Sequence, residues 1–261
     1  MCFDFDSRPP ELPADLALPP LAGGSRAELL ELTSRDGTRF SAALAQAPEG
    51  RDVGVVILPD VRGLYRFYEE LAERFAQAGH HAIAIDYFGR TAGLGPRGED
   101  FDYMPEVAKT RVEQVQDDAK AALDALRERT GVRGAVAVGF CFGGAQAFYA
   151  AASDELALDG VVGFYGVLER EGRPRPADLA ADMRCPVLGL FGGADQAIAP
   201  EHIERFGRAL EEAGVEHELV TYPGAPHSFF DRKFEEHAEA CEDAWRRVLG
   251  FIDRIAARAA A

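Results

Sequence analysis

Apolar residues along this chain fall into short continuous blocks, separated by segments in which they recur at helical spacing. VGVVILPD (53–60) is such a block, the pattern of a strand buried on both faces. In the following RFYEELAERFAQAG, Phe67, Leu71, Phe75 and Ala78 share one helical face, and Gly79 ends the turn. The alternation then repeats. HAIAIDYF (81–88) reads as a strand, and residues 110–130 as a helix with Val112, Val115, Ala119, Leu123 and Leu126 inward. AVAVGF (135–140) predicts a strand and GGAQAFYAAA a helix; LDGVVGFYG (158–166) and PVLGLFGGAD (186–195) predict further strands. PEHIERFGRALEEAG (200–214) is a predicted helix, HELVTYPG (217–224) a strand, and FEEHAEACEDAWRRVLGFIDRIAARA a long closing helix.

Strands and helices that alternate this way build an α/β, mostly parallel, doubly wound sheet. Ahead of it, AELLELTS and RFSAALAQA flank Asp36-Gly37, the signal for an N-terminal antiparallel hairpin. Residues 1–24 hold five of the fifteen prolines and read as an extended arm, leaving 25–261 as a single domain. In sheets of this kind ligands sit beyond the carboxyl ends of the strands. Residues just after each apolar block, and the long segments 89–109 and 167–184, are therefore where chemistry is expected.

Composition narrows the function classes. A net charge of −16 opposes binding to nucleic acid through the long-range field. The one apolar run long enough to suggest a membrane span, residues 135–152, divides into strand, glycine turn and helix. MCFDFDSRPP lacks the basic and apolar regions of a secretory signal. Cysteines at 2, 141, 185 and 241 form no C-x-x-C pair, so free thiols in a reduced, cytoplasmic setting are expected. His237 and Cys241 stand one helical turn apart without an evident third ligand, and no phosphate-binding glycine motif occurs. Neither a metal nor a nucleotide cofactor is expected.

The chemistry concentrates at Gly139-Phe140-Cys141-Phe142-Gly143, a nucleophile-elbow pattern G-x-S-x-G with cysteine replacing serine. The thiol would stand at a helix amino terminus, whose dipole favours a thiolate. The Phe142 N–H would point to where an oxyanion forms. A base and an orienting acid should follow in the order nucleophile, acid, histidine. Asp195 ends an apolar strand 54 residues further on, and of the four later histidines only His227, in YPGAPHSFF, lies in a loop just past a strand. Asp60 and Asp86 are competing carboxylates that precede the nucleophile.

Gly-Phe-Cys-Phe-Gly-Gly (139–144), Pro-Asp-Val-Arg-Gly (59–63), Asp-Tyr-Phe-Gly-Arg (86–90) and Pro-Gly-Ala-Pro-His-Ser-Phe (223–229) together resemble the dienelactone hydrolase family. The resemblance implies an α/β-hydrolase fold, a Cys141–Asp195–His227 triad, and a small ester or lactone as partner. It further implies a second oxyanion donor at Val61, an acidic residue at Asp60 that contacts the resting thiol, and arginines that hold a substrate carboxylate. Arg90 fits the first arginine; at the second position stands Asp231, with Arg232 beside it. Acyl transfer or peptide hydrolysis by the same triad, and a non-catalytic ligand-binding or thiol-sensing role, remain alternatives at this point. Monomer and homodimer are equally open.

Overall fold

A computed structural model of the chain describes residues 6–18, 26–231 and 233–259. Eight strands and seven α-helices follow one another as β1 (Glu28–Thr33), β2 (Arg39–Ala45), β3 (Val53–Leu58), α1 (Arg66–Gln77), β4 (Ala82–Ile85), α2 (Gly89–Ala92), α3 (Tyr103–Lys109), α4 (Val112–Thr130), β5 (Gly134–Phe140), α5 (Phe142–Ala150), β6 (Gly160–Phe164), β7 (Val187–Gly192), α6 (Pro200–Glu212), β8 (His217–Tyr222) and α7 (Ala238–Ala259). All belong to one sheet in the order β1-β2-β4-β3-β5-β6-β7-β8, antiparallel at β1/β2 and β2/β4 and parallel elsewhere. This is the mostly parallel, doubly wound arrangement that the alternation of blocks predicts and the α/β-hydrolase fold that the family resemblance implies, with the hairpin at the expected end. Every predicted strand is present; β5 begins one residue earlier, at Gly134, and the others are shorter by two to four residues because the polar and glycine residues at the block ends belong to turns.

Burial follows the pattern. β3, β4, β5, β6 and β7 are buried along their whole length, as two-sided strands must be. α1 turns Phe67, Leu71 and Phe75 inward, and Phe75 meets Trp245 of α7 edge-on at 5.2 Å between ring centroids. On the other face Phe148 of α5 packs on Phe206 of α6 at 5.0 Å. The segments expected to be long loops carry short helices of their own. α2 and α3 lie in 89–109, and a 3-10 turn spans Pro176–Asp182. Arg173 donates to the carbonyls of Thr110 and Val107, which fastens the second segment to the end of α3.

Residues 6–18 lie against α1 and α7. Pro10 accepts a hydrogen bond from Trp245 Nε1 at 3.2 Å, Leu18 N–H donates to Gln77 O, and Asp15 pairs with Arg246. Among the described residues no helix is long and apolar enough to cross a membrane.

The strand order positions the site. The chain leaves β3 toward β4 and later returns on the other side as β5. The loops after β3 and β5 therefore diverge from neighbouring strands, with Leu58 registered beside Gly139. Such a reversal opens a crevice at the carboxyl edge. Cys141 and Asp60-Val61-Arg62 follow those two strands directly.

Candidate active site

Cys141 joins β5 to α5 with φ 54° and ψ −110°, a conformation that a non-glycine residue adopts only when its surroundings enforce it. The neighbouring glycines provide the room. A Cβ on Gly139 would lie 1.9 Å from Gly143 O, and one on Gly143 would lie 2.0 Å from Leu58 O. Both are backbone atoms, so no side chain could move aside. The Cys141 N–H donates to Phe164 O at 3.0 Å, fixing the turn to β6 and leaving the half-buried thiol at the apex. Phe142 is the first residue of α5, where an N–H has no acceptor within the helix. Val61 lies in the adjacent turn, which Gly63 N–H closes on Asp60 O at 3.1 Å.

The expected acid and base follow the next two strands. Asp195 follows β7 with its side chain buried, and Oδ1 accepts from Ala197 N–H at 2.8 Å. Its Oδ2 lies 2.6 Å from Nδ1 of His227, in the turn after β8. Burial disfavours the charge of the imidazole, but the bond to Asp195 and the attraction of the Cys141 side chain outweigh this and push the pKa up to about 10. Asp195 and the Cys141 side chain thus act on one and the same imidazole. The two competing carboxylates do not reach a histidine. Asp86 is held by Arg97 through both oxygens, and Asp60 by Arg62.

The residues expected to receive a substrate carboxylate are placed differently. Arg90 donates to Asp36 at 2.8 Å, to Asp118 at 2.5 Å and to Ser34 at 2.8 Å, so it pins the β1–β2 turn to α4. Burial pushes the Asp118 carboxyl up to about 6 despite that guanidinium. Asp60, expected to contact the thiol, binds instead the backbone N–H of Arg62 at 2.8 Å and its guanidinium. The shorter aspartate arm and the arginine two residues on account for this. Arg232 lies outside the described residues.

The sequence assigns no role to three residues at this edge, Arg62, Tyr165 and Ser228. Arg62 is fully buried between Asp60 and Asp231, with its guanidinium carbon 3.9 Å above the Tyr65 ring. Asp231 also takes hydrogen bonds from Tyr65, at 3.4 Å, and from Ser7 of the N-terminal segment. Burial raises the Asp231 carboxyl above the usual range against the pull of Arg62, and the charge of Asp60 adds to the rise. Tyr165, just past β6, has φ 38° and sets its ring 5.1 Å from the His227 ring; Ser228 has φ 59°. Three of the four non-glycine positive-φ residues among those described thus gather at one edge. Tyr165 could have been found by the strand-end rule already applied to its neighbours, but an aromatic ending an apolar block looks like core. The strand-end rule marks Arg62 as well, but nothing local shows its second partner, which is 169 residues away.

The two other cysteines among the described residues are chemically quiet. Burial pushes both the Cys185 and the Cys241 thiols up to about 12.

Comparison with known proteins points the same way. The sequence profile of the dienelactone hydrolase family matches residues 40–256. A "Putative carboxymethylenebutenolidase" of Yersinia pestis is 32% identical over 209 residues, covering 76% of either chain. A protein of the same name from Saccharolobus solfataricus is 30% identical over 258 residues, 84% of this chain and 96% of its own. The crystal structure of a "Putative Dienelactone Hydrolase" from Klebsiella pneumoniae superposes with a TM-score of 0.75 at 28% identity, covering 87% of this chain and 99% of its own.

Proposed function

The chain belongs to the dienelactone hydrolase family and is a hydrolase of that type, and we propose that it cleaves carboxylic esters or lactones through a thioester on Cys141. The observation that carries this reading is the strained elbow of Cys141 at the same edge as His227, whose imidazole is bonded to Asp195 and feels the Cys141 side chain.

The chemistry follows from that arrangement. His227 takes the thiol proton, and Asp195 stabilises the imidazolium that results. Cys141 Sγ attacks the acyl carbon, and the developing oxyanion is met by the N–H groups of Phe142 and Val61. Collapse of the tetrahedral adduct breaks the C–O bond, and the imidazolium returns its proton to the departing alkoxide. A lactone stays attached as its opened ring, and an ester releases an alcohol. Water deprotonated by His227 then attacks the thioester carbonyl and releases the acid, and Cys141 regains its proton. The names of the relatives, which specify a butenolide, support a lactone among the substrates.

Cys141→Ala is expected to remove turnover of p-nitrophenyl esters and lactones, while wild-type protein mixed briefly with ester gains the acyl mass on Cys141. Wild-type rates in the alanine variant would overturn the assignment.

A further inference from the structure

In the loop after β3, residues 59–64, the backbone N–H groups are spent in order. Asp60 N–H donates to Tyr68 Oη at 2.9 Å, Arg62 N–H to Asp60 Oδ1 at 2.8 Å, Gly63 N–H to Asp60 O at 3.1 Å and Leu64 N–H to Asp86 Oδ1 at 3.3 Å. Among the described residues the Val61 N–H alone in this loop has no acceptor. Val61 is also the one residue of 59–64 that is not buried. A tight loop that satisfies its other amides and leaves one at the surface presents that amide as a fixed donor.

The start of the loop lies against the elbow. A Cβ on Gly143 would meet Leu58 O at 2.0 Å and Pro59 O at 2.3 Å, and Tyr87, edge-on to the Phe142 ring, donates its hydroxyl to Pro59 O at 2.8 Å. The middle of the loop is held by a side chain. Arg62 donates to the Asp60 carboxylate and across to Asp231, with every side chain of the three at 4% exposure or less. Asp231 is a fixed post. Its N–H closes on Ser228 O at 3.0 Å, the preceding Phe229 and Phe230 are buried, and Ala194 N–H of the neighbouring loop donates to Ala225 O at 2.9 Å. Arg62 therefore fastens the Val61 loop to the histidine turn at the point between the reach of Tyr68 and that of Asp86.

We propose that Arg62 is a positioning residue for the hydrolysis: by bridging Asp60 and Asp231 it holds the Val61 N–H where the oxyanion forms. The inference rests on the hydrolase reading above and adds to it a residue that acts on the transition state without touching substrate. A displacement of about 1 Å in such a site can cost about 100-fold in rate. The loss should fall on kcat and kcat/KM alike, because an oxyanion donor works in the transition state rather than on the bound ester. A cluster acting only through its field would do the reverse. Removing a carboxylate near a developing negative charge would leave the rate unchanged or raise it.

Asp231→Ala in the full-length protein cuts the tie and leaves Arg62 neutralised by Asp60. With p-nitrophenyl acetate, kcat and kcat/KM should fall together by at least about ten-fold, part of the about 100- to 1,000-fold that loss of a whole oxyanion donor costs. Alkylation of Cys141 by iodoacetamide, a displacement at saturated carbon that forms no oxyanion, should stay within about two-fold of the wild-type rate. Unchanged or faster ester hydrolysis by the folded variant would overturn the proposal. A parallel fall in alkylation would overturn it too, by placing the effect on the thiol and imidazole. Asp231→Asn, of the same shape, is the second variant, and its kcat should lie between the other two. If neither variant folds at 25 °C, the tie is purely structural and the positioning role is overturned. A wild type that iodoacetamide modifies at Cys141, but that hydrolyses neither p-nitrophenyl acetate nor a butenolide with or without a carboxylate, would instead overturn the hydrolase reading, and this inference with it.

Discussion

Two groups of buried charge occupy the same edge of the sheet, and they are built for opposite purposes. In one, Asp195 orients His227, a base whose proton can leave and return. In the other, Asp60 and Asp231 enclose Arg62, whose guanidinium keeps its proton under all ordinary conditions. Both contain carboxylates held by nitrogen donors in a nearly dry setting. What differs is whether the nitrogen can titrate. In the proposed reaction the first group exchanges a proton with the thiol; the second can only hold two loops together and fix the local field.

The sharpest way to break that comparison is Asp195→Asn. Its expected effect is a fall in kcat of about 10³- to 10⁴-fold, because the imidazole would lose the partner that fixes its tautomer. Measured above about pH 10, where the imidazole is neutral in either case, the urea midpoint should hardly move. If the variant unfolds instead, the two groups are alike and the distinction fails.

Arg62→Met attacks the other group. It removes the only charge between two buried carboxylates, and losing one partner of a buried ion pair costs about 3–5 kcal/mol. Chemical denaturation should show that loss. An unchanged midpoint would mean that Arg62 is not the tie between the loops.

The smallest effect separates the groups by pH. His227 has its pKa raised from 6.5 to about 10 in the folded chain. A group raised on folding contributes stability that is fully present below its unfolded value and is lost as pH climbs through the folded one. Stability should therefore decline between about pH 6.5 and about pH 10, and His227→Gln should flatten that slope. Arg62 adds nothing to it, since a guanidinium does not titrate there. A slope that survives in the histidine variant would place the titrating group elsewhere.

How much of this was legible beforehand depended on whether the cause was local. Strands β3 and β5 to β7 announce themselves as apolar blocks because two-sided burial leaves no room for polar positions. Gly139 and Gly143 are local consequences of the Cys141 turn, so the elbow could be read from five residues. The placement of β4 between β2 and β3 could not, since strand order is decided by crossovers rather than by pattern. The same holds for arginines. Arg90 stands where an anion-binding residue was expected, yet its partners come from the β1–β2 turn and from α4, 54 and 28 residues away. Which carboxylate meets which guanidinium is a property of the assembled edge.

Trp245 is the only tryptophan in the chain. It is almost wholly enclosed, with its ring edge-on to Phe75 and to Phe230 and its N–H bonded to Pro10. Phe230 stands three residues after His227, and Pro10 lies in the segment laid across α1 and α7. The emission of this single indole thus reports on two events at once: undocking of the N-terminal segment, which would wet the N–H and shift emission to the red, and displacement of the histidine turn, which would change contact with the ring. The fold carries its own optical probe, and no label need be introduced near Cys141.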